Sequence, residues 1–362
     1  MEPISIHSLE NRLNVPVEPV EEEFLYQHDG ADRVDSQSFE VISQVGNGAY
    51  GEVCIVKHKE SDMIYALKKI PYLDAYDTEL VKKRAMRERD AMIANNEKAS
   101  QRSPQLYYAF IDKEEGCFNL VMEYISGGDF NHHVYKRLCD NNPFTNDDIQ
   151  FYIAEILVCI EQFHNMGFLH RDIKPENLLI NRDGHLVLCD YGSCKEIANL
   201  SSNTKELGNT PPNFSSFLRN PNNSYTGYIG TPQYMAVEVV QGIVYSKLCD
   251  YWSLGCILFE LLTGSPLFVE SPDTTEQKIR QNIGNWRGLL NTAFSKNKNI
   301  PKSAESLIRD LIAPERKRLD STSIKKHPFF EGIDWDAITN LQAQPPYIPT
   351  AAHPADTACK GQ

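Results

Sequence analysis

Apolar and polar positions change their rhythm along this chain. Between Phe39 and Lys69 the pattern is strand-like, with strands expected over Phe39–Val45, Glu52–Lys57 and Ile64–Lys69. Lys59-Glu60-Ser61-Asp62 supplies a turn between the last two. From Thr78 to Ala94 the spacing becomes helical, and Val81, Ala85, Glu88 and Met92 fall on one face. Phe118–Tyr124 reads as another strand. Thr145-Asn146-Asp147-Asp148 is then a capping box, opening a long helix whose buried stripe is Ile149, Ile153, Ile156, Ile160 and Phe163. Leu178–Ile180 and Leu186–Cys189 flank Asn181-Arg182-Asp183-Gly184 as a hairpin. Residues 195–226 are rich in Asn, Ser, Thr and Pro and read as a long polar loop. Beyond residue 250 the chain is helical, with Trp252–Leu262 as its apolar centre. A strand-rich portion thus precedes a helix-rich one, an α+β arrangement with its boundary near Ser126-Gly127-Gly128. The first thirty-odd residues, with Pro3, Pro16, Pro19 and Glu21-Glu22-Glu23, read as a mobile or lightly docked extension.

Composition narrows the function classes. With 36 Lys and Arg against 49 Asp and Glu over 362 residues, the net charge of −13 disfavours nucleic acid and favours basic partners. No apolar run is long enough for a membrane span, and the N-terminus lacks the pattern of a secretory signal. Nine scattered cysteines with no Cys-x-x-Cys pair suggest reduced thiols and a cytoplasmic protein. His132-His133 lacks further ligands at metal spacing and reads as structural.

Four segments carry chemistry. Gly46-Asn47-Gly48-Ala49-Tyr50-Gly51 is a glycine-rich turn followed by a strand, not by the helix that a dinucleotide fold requires. Such a hairpin brings backbone N–H groups close to phosphates. Lys68 ends an apolar strand, and Glu88 lies on the apolar face of the next helix. A carboxylate there is costly unless paired, so Lys68 is its expected partner. His170-Arg171-Asp172-Ile173-Lys174-Pro175-Glu176-Asn177 packs a candidate base, a cation and a metal-binding amide into one loop. Asp190, in Cys189-Asp190-Tyr191-Gly192, adds a second carboxylate, and oxygen ligands beside a triphosphate point to magnesium.

These segments, in this order, resemble the signature set of the protein kinases. The resemblance runs from Phe39 to Phe330 and includes Gly230-Thr231-Pro232-Gln233-Tyr234-Met235-Ala236-Val237-Glu238 and Asp250-Tyr251-Trp252-Ser253-Leu254-Gly255. It is closest to the AGC group. Arg87-Glu88-Arg89-Asp90, Pro328-Phe329-Phe330-Glu331-Gly332-Ile333-Asp334-Trp335 and Pro345-Pro346-Tyr347-Ile348-Pro349-Thr350 resemble its myotonic-dystrophy-kinase, Rho-kinase and citron-kinase branch. The resemblance implies a bilobal fold: an extension over 1–38, an antiparallel-sheet lobe over 39–125 with one key helix, a helical lobe over 126–331, and a short tail over 332–362 without the hydrophobic motif. It also implies serine/threonine kinase activity with ATP and Mg2+. Lys68 would hold the α- and β-phosphates, oriented by Glu88. Asp172 would accept the hydroxyl proton, with Lys174 by the γ-phosphate and Asn177 and Asp190 on the metal. Gly46 to Gly51, Val53, Ala66, gatekeeper Met122, hinge residues Glu123 and Tyr124, and Asp129 at the ribose would line the nucleotide. Thr231 would bond Asp172 and Lys174, while Glu238 with Arg318, and Asp250, would anchor the second lobe. Glu176 and Glu260 match positions that select arginine upstream of the target Ser or Thr. Small-GTPase or cytoskeletal partners follow from the resemblance alone.

Departures leave a rival. Tyr191 stands where Phe is usual, Val237 for Pro and Gln233 for an acid, and the stretch from Asp190 to Glu238 is unusually long. Gly227 occupies the usual phosphosite, so the segment is expected to order without phosphate, with Thr226 as the alternative site. No heptad array follows. A pseudokinase scaffold is the rival reading; loss of Lys68, Asp172 or Asp190 would favour it, and all three are present.

Overall fold

In the computed structural model, residues 23–28, 33–48, 51–73, 75, 77–197, 230–243 and 245–350 are described. Ala49 and Tyr50, the polar insert and Thr226 lie outside them. The described residues form two compact units. One takes the residues up to Arg89 with Gln105–Tyr124; the other takes Asp90–Pro104 with the chain from Ile125 onward. The return of Asp90–Pro104 to the second unit is not described by a single boundary in the sequence.

The first unit is a six-stranded antiparallel sheet in the order β1-β5-β6-β4-β3-β2. Its strands are β1 (Tyr26–Gln27), β2 (Phe39–Gly48), β3 (Gly51–His58), β4 (Ile64–Pro71), β5 (Leu106–Asp112) and β6 (Cys117–Glu123). β2 and β3 stay paired as far as Gly48↔Gly51, so both strands outrun the apolar alternation into the glycines. Register divides the sheet into two faces. Cys54, Leu67 and Val121 share one with Phe39, Val56, Tyr65, Tyr108 and Phe110 as a buried cluster. Phe39 on β2 stacks on Phe110 of β5 at 6.4 Å, although those strands are not sheet neighbours, so the sheet curls around this core. Val53, Lys68 and Leu120 lie in register on the opposite face, as do Ile55, Ala66 and Met122.

Helix α1 (Thr78–Lys98) follows the sheet's fourth strand. It runs past Ala94 because its next buried position is polar: Asn95 donates to the Ser103 and Pro104 carbonyls, and hydrophobic periodicity cannot register that. Residues 23–28 correct the reading of the extension as mobile or lightly docked. Phe24 is wholly buried and β1 joins the edge of β5.

The second unit is helical. Its main members are α2 (Phe130–Cys139), α3 (Asn146–Asn165), α4 (Val237–Val240), α5 (Cys249–Thr263), α6 (Glu276–Gly284), α7 (Trp286–Lys296) and α8 (Lys302–Leu311). Thr145 and Asp148 form the expected capping box, and every residue of the predicted stripe of α3 is buried. α5 packs against α3 and α8 around Trp252, which stacks on Phe268 at 6.0 Å. Two short ribbons carry the loops of interest: β7 (Phe168–Leu169) with β10 (Lys195–Glu196), and β8 (Leu178–Ile180) with β9 (Leu186–Leu188). His133 is a core aromatic stacked on Tyr347 at 4.3 Å, and burial pushes its imidazole down to about 4. No disulfide joins any two of the eight described cysteines. No helix among the described residues is long and apolar enough to cross a membrane.

Candidate active site

The candidate residues fall into two groups, one within each unit. In the sheet unit, β4 carries Lys68 onto the face that α1 supplies with Glu88. Lys68 Nζ lies 2.6 Å from Glu88 Oε1, and both side chains are almost completely buried. The pairing inferred from a carboxylate on an apolar helix face is therefore present. Val53 and Ala66 are half-buried on the same sheet face, and Met122 and Glu123 end β6, Met122 half-buried and Glu123 exposed. At the hairpin, Gly51 has φ +140°, and a Cβ there would lie 2.1 Å from the Lys69 carbonyl oxygen, so a side chain is excluded.

In the helical unit, the loop after β7 is built around Asp172. Its Oδ1 accepts from the Thr231 amide at 2.6 Å, and its Oδ2 accepts from Asn177 Nδ2 at 3.2 Å. Lys174 Nζ sits 3.2 Å from that same Oδ2 and donates to Thr231 Oγ1 at 2.7 Å. Asn177 also donates to the Asp172 carbonyl at 2.8 Å. Both bonds use the amide nitrogen, which orients the side chain and leaves Oδ1 as its metal-competent atom. Gly230 closes over the loop with φ +113°; a Cβ would lie 2.5 Å from the Arg171 carbonyl oxygen.

The loop is held from behind by Asp250. His164 Nε2 lies 2.7 Å from Asp250 Oδ2, and the amides of His170 and Arg171 donate to the carboxylate at 3.0 and 2.8 Å. Burial alone would raise this carboxyl, but the His164 bond, neighbouring imidazoles and the Arg171 amide hold it below the usual range. Asp190 takes a left-handed backbone, φ 63°, and its carboxylate does not cap the turn that follows. Tyr191 is buried against Phe163, and its hydroxyl donates to the Leu188 carbonyl at 2.7 Å, which satisfies the polar tip that distinguishes it from Phe. Arg171 bonds the Ser193 and Cys194 carbonyls at 2.7 and 3.1 Å and the Tyr245 hydroxyl at 3.0 Å. Arg318 grips Glu238 through both terminal guanidinium nitrogens, Nη1 and Nη2, at 2.5 and 2.9 Å.

Asp129 caps α2, accepting from the His132 amide at 2.7 Å. Tyr234 donates its hydroxyl to Glu260 Oε2 at 2.7 Å. Burial, with the Glu176 charge nearby, lifts Glu260 to about 7. Glu176 keeps solvent contact, yet the protein packed round it, with the Asp172 and Asp129 charges, raises its carboxyl too. Among the described residues, no three His, Cys, Asp or Glu side chains cluster closely enough to hold a metal. Asn177 and Asp190 suit a hard cation that takes its other ligands from phosphate and water.

Sequence reasoning missed one buried assembly. Glu155, wholly buried in α3, pairs with Arg102 Nη1 at 2.7 Å and His185 Nδ1 at 2.9 Å, and accepts from the Leu186 amide at 2.7 Å. The signal that singled out Glu88, an acid inside a buried helix, was equally present at Glu155.

Residues 39–330 match the family described as protein kinase domain. The chain belongs to the protein kinase family. It is 54% identical to a probable serine/threonine-protein kinase of Dictyostelium discoideum, over 98% of this chain and 99% of that protein. It is 35% identical to the serine/threonine-protein kinase Warts of Drosophila melanogaster, over 90% of this chain and 30% of Warts. To human serine/threonine-protein kinase MRCK alpha it is 33% identical, over 90% of this chain and 17% of that protein. The chain thus spans less than a third of Warts and of MRCK alpha. These findings support a serine/threonine protein kinase, for which the domain implies ATP as phosphoryl donor, and nothing in them favours a pseudokinase.

Proposed function

We propose that the chain transfers the γ-phosphoryl group of magnesium-bound ATP to Ser or Thr hydroxyls, with Asp172 as the proton acceptor. The observation that carries this reading is the Asp172 constellation: a buried carboxylate fixed on both oxygens by Thr231, Asn177 and Lys174. ATP supplies a reactive phosphoryl group whose displacement needs alignment and charge neutralisation more than covalent catalysis. Asp172 aligns the hydroxyl and takes its proton. Lys174 neutralises charge beside it, and Asn177 Oδ1 and Asp190 offer oxygens to the metal. Lys68, set by Glu88, holds phosphate; the glycine hairpin, Val53, Ala66, Met122, Glu123, Tyr124 and Asp129 are assigned to nucleotide binding.

The preferred substrates are Ser/Thr proteins with Arg or Lys two to three residues upstream, facing Glu176 and Glu260. The net charge of −13 and the acidic pair around Tyr234 support this. The bonds of Arg171 to two carbonyls and Tyr245 favour activity without a phosphate on the polar insert. Placement in the AGC group, in its myotonic-dystrophy-kinase branch, rests on the motifs around Glu88, Phe329 and Tyr347. Scattered cysteines without a Cys-x-x-Cys pair support a reducing, cytoplasmic setting.

The test is labelled ATP with a basic Ser/Thr peptide. Wild type should transfer phosphate, and Asp172→Asn should lose roughly a hundredfold to ten-thousandfold in turnover. Equal turnover by the two proteins would remove Asp172 from its role.

A further inference from the structure

Among the described residues ahead of β2, only Phe24 is fully buried. Its ring lies 4.9 Å from that of Phe118 on β6, and the Arg89 guanidinium sits 5.5 Å from its centroid. Arg89 also donates to the Glu23 carbonyl, and the Glu23 carboxylate lies 3.5 Å from Lys82 Nζ. Two residues on, the backbone becomes β1, pairing Tyr26 with Ala109 and Gln27 with Tyr108, and the His28 amide donates to the Tyr107 carbonyl at 2.9 Å. Glu23 and Phe24 have helical backbone, with Phe24 buried and Glu23 exposed; along β1 and just after it Tyr26 and His28 are half-buried while Gln27 is exposed, as an edge strand requires. This short segment is therefore tied to α1 by Arg89 and Lys82, and to the sheet by Phe118 and β5.

Arg89 directly follows Glu88, whose carboxylate must meet Lys68. The turns of α1 before Ala85 bury no side chain completely, so the helix's own packing is thin there. We propose that Glu23–His28 is a brace that holds α1 where Glu88 reaches Lys68, and that Phe24 is a positioning residue for phosphoryl transfer. The inference rests on the kinase role proposed for Lys68. It goes beyond space-filling because the segment grips the helix one residue from the ion pair and grips the sheet independently. A brace of this kind acts through Glu88 and touches neither nucleotide nor substrate.

The test uses the full chain with Phe24→Ala and Phe24→Leu, read three ways. Amide hydrogen exchange over residues 78–92 reports α1, with α3 as an internal reference. Steady-state kinetics separate kcat from the KM of the peptide substrate. A synthetic peptide of residues 20–30 is added in trans, with and without its Phe24→Ala change. Phe24→Ala should speed exchange in α1 about tenfold while α3 stays protected. It should lower kcat about tenfold with KM changed less than about threefold. Phe24→Leu should recover most of the rate, and the peptide should restore about half of it only when it carries Phe24. The proposal is overturned if α1 exchanges within about twofold of wild type, if α3 loosens equally, or if the Ala peptide rescues as well as the Phe peptide. If wild type itself transfers no phosphate, the functional reading fails, while exchange in α1 still decides whether the brace exists.

Discussion

Lys68 of the sheet unit and Asp172 of the helical unit are buried to nearly the same degree, 7% and 6% exposed, but they are fixed differently. Lys68 stands on a strand and meets Glu88 on a separate helix, so their 2.6 Å approach depends on where that helix rests. Asp172 belongs to a loop that ties itself together. Thr231, Asn177 and Lys174 meet its side chain, and Asp250 holds the two residues before it by their backbone amides. A charge pair across two elements inherits the mobility of the weaker element. A loop with several mutually supporting bonds keeps its geometry when one contact is lost.

The largest expected effect breaks the first arrangement. Lys68→Met should lower turnover at least about a hundredfold, through lost phosphate positioning. It should also destabilise the sheet unit, since stranding one partner of a buried pair costs about 3–5 kcal/mol. Adding Glu88→Gln should recover part of that stability and none of the turnover. Denaturation midpoints and rates for the single and double variants check both, and a double variant no more stable than Lys68→Met would contradict the buried-charge explanation.

Asp250→Asn probes the second arrangement. Losing a charged acceptor shared by His164 and two amides should cost about 1.5–3 kcal/mol. Slackening of the loop should lower turnover by about tenfold to a hundredfold, milder than loss of a group that touches substrate. The folded carboxyl lies below its ordinary range, so its stabilisation is complete above the unfolded value near 4 and is lost as pH falls through the folded one. Stability curves between pH 7 and pH 2 should therefore show an acid limb that Asp250→Asn weakens. Superimposable limbs would show that Asp250 is not its source.

The smallest effect concerns Glu260, raised to about 7 by burial with Glu176 nearby. A raised carboxyl is neutral below that value and charged above it, and only the charged form pairs with an incoming Arg or Lys. The KM for a basic peptide should fall severalfold, about three- to tenfold, as pH rises from 6 to 8. Glu260→Gln should flatten this dependence without touching the kcat of a peptide that lacks basic residues. A KM profile in Glu260→Gln parallel to wild type would assign the titration elsewhere.

Much of this was legible in the sequence because it is local. The glycine hairpin, the Thr145 capping box, the α3 stripe and the loop from His170 to Asn177 each lie within a few turns of chain, where spacing and residue type suffice. Lys68 with Glu88 is the one long-range pairing read from the residues themselves, because a lone acid on an apolar helix face demands a cation; Glu238 with Arg318 and Thr231 with Asp172 come from the family resemblance. The rest needed the folded chain. The strand Tyr26–Gln27 is too short to announce itself, and only the surface formed by Phe118 and Arg89 makes Phe24 an anchor. The partners of Arg171, the Ser193 and Cys194 carbonyls and the Tyr245 hydroxyl, are brought to it by the fold and by no local pattern. Glu155, an acid inside a buried helix, carries the same signal as Glu88, but its partners Arg102 and His185 reach it from distant segments and no spacing names them. Sequence determined which groups must be satisfied, because burial of a charge or an N–H is costly wherever it occurs. Tertiary structure alone decided which partners satisfy them, because that depends on elements far apart in the chain arriving within hydrogen-bonding distance.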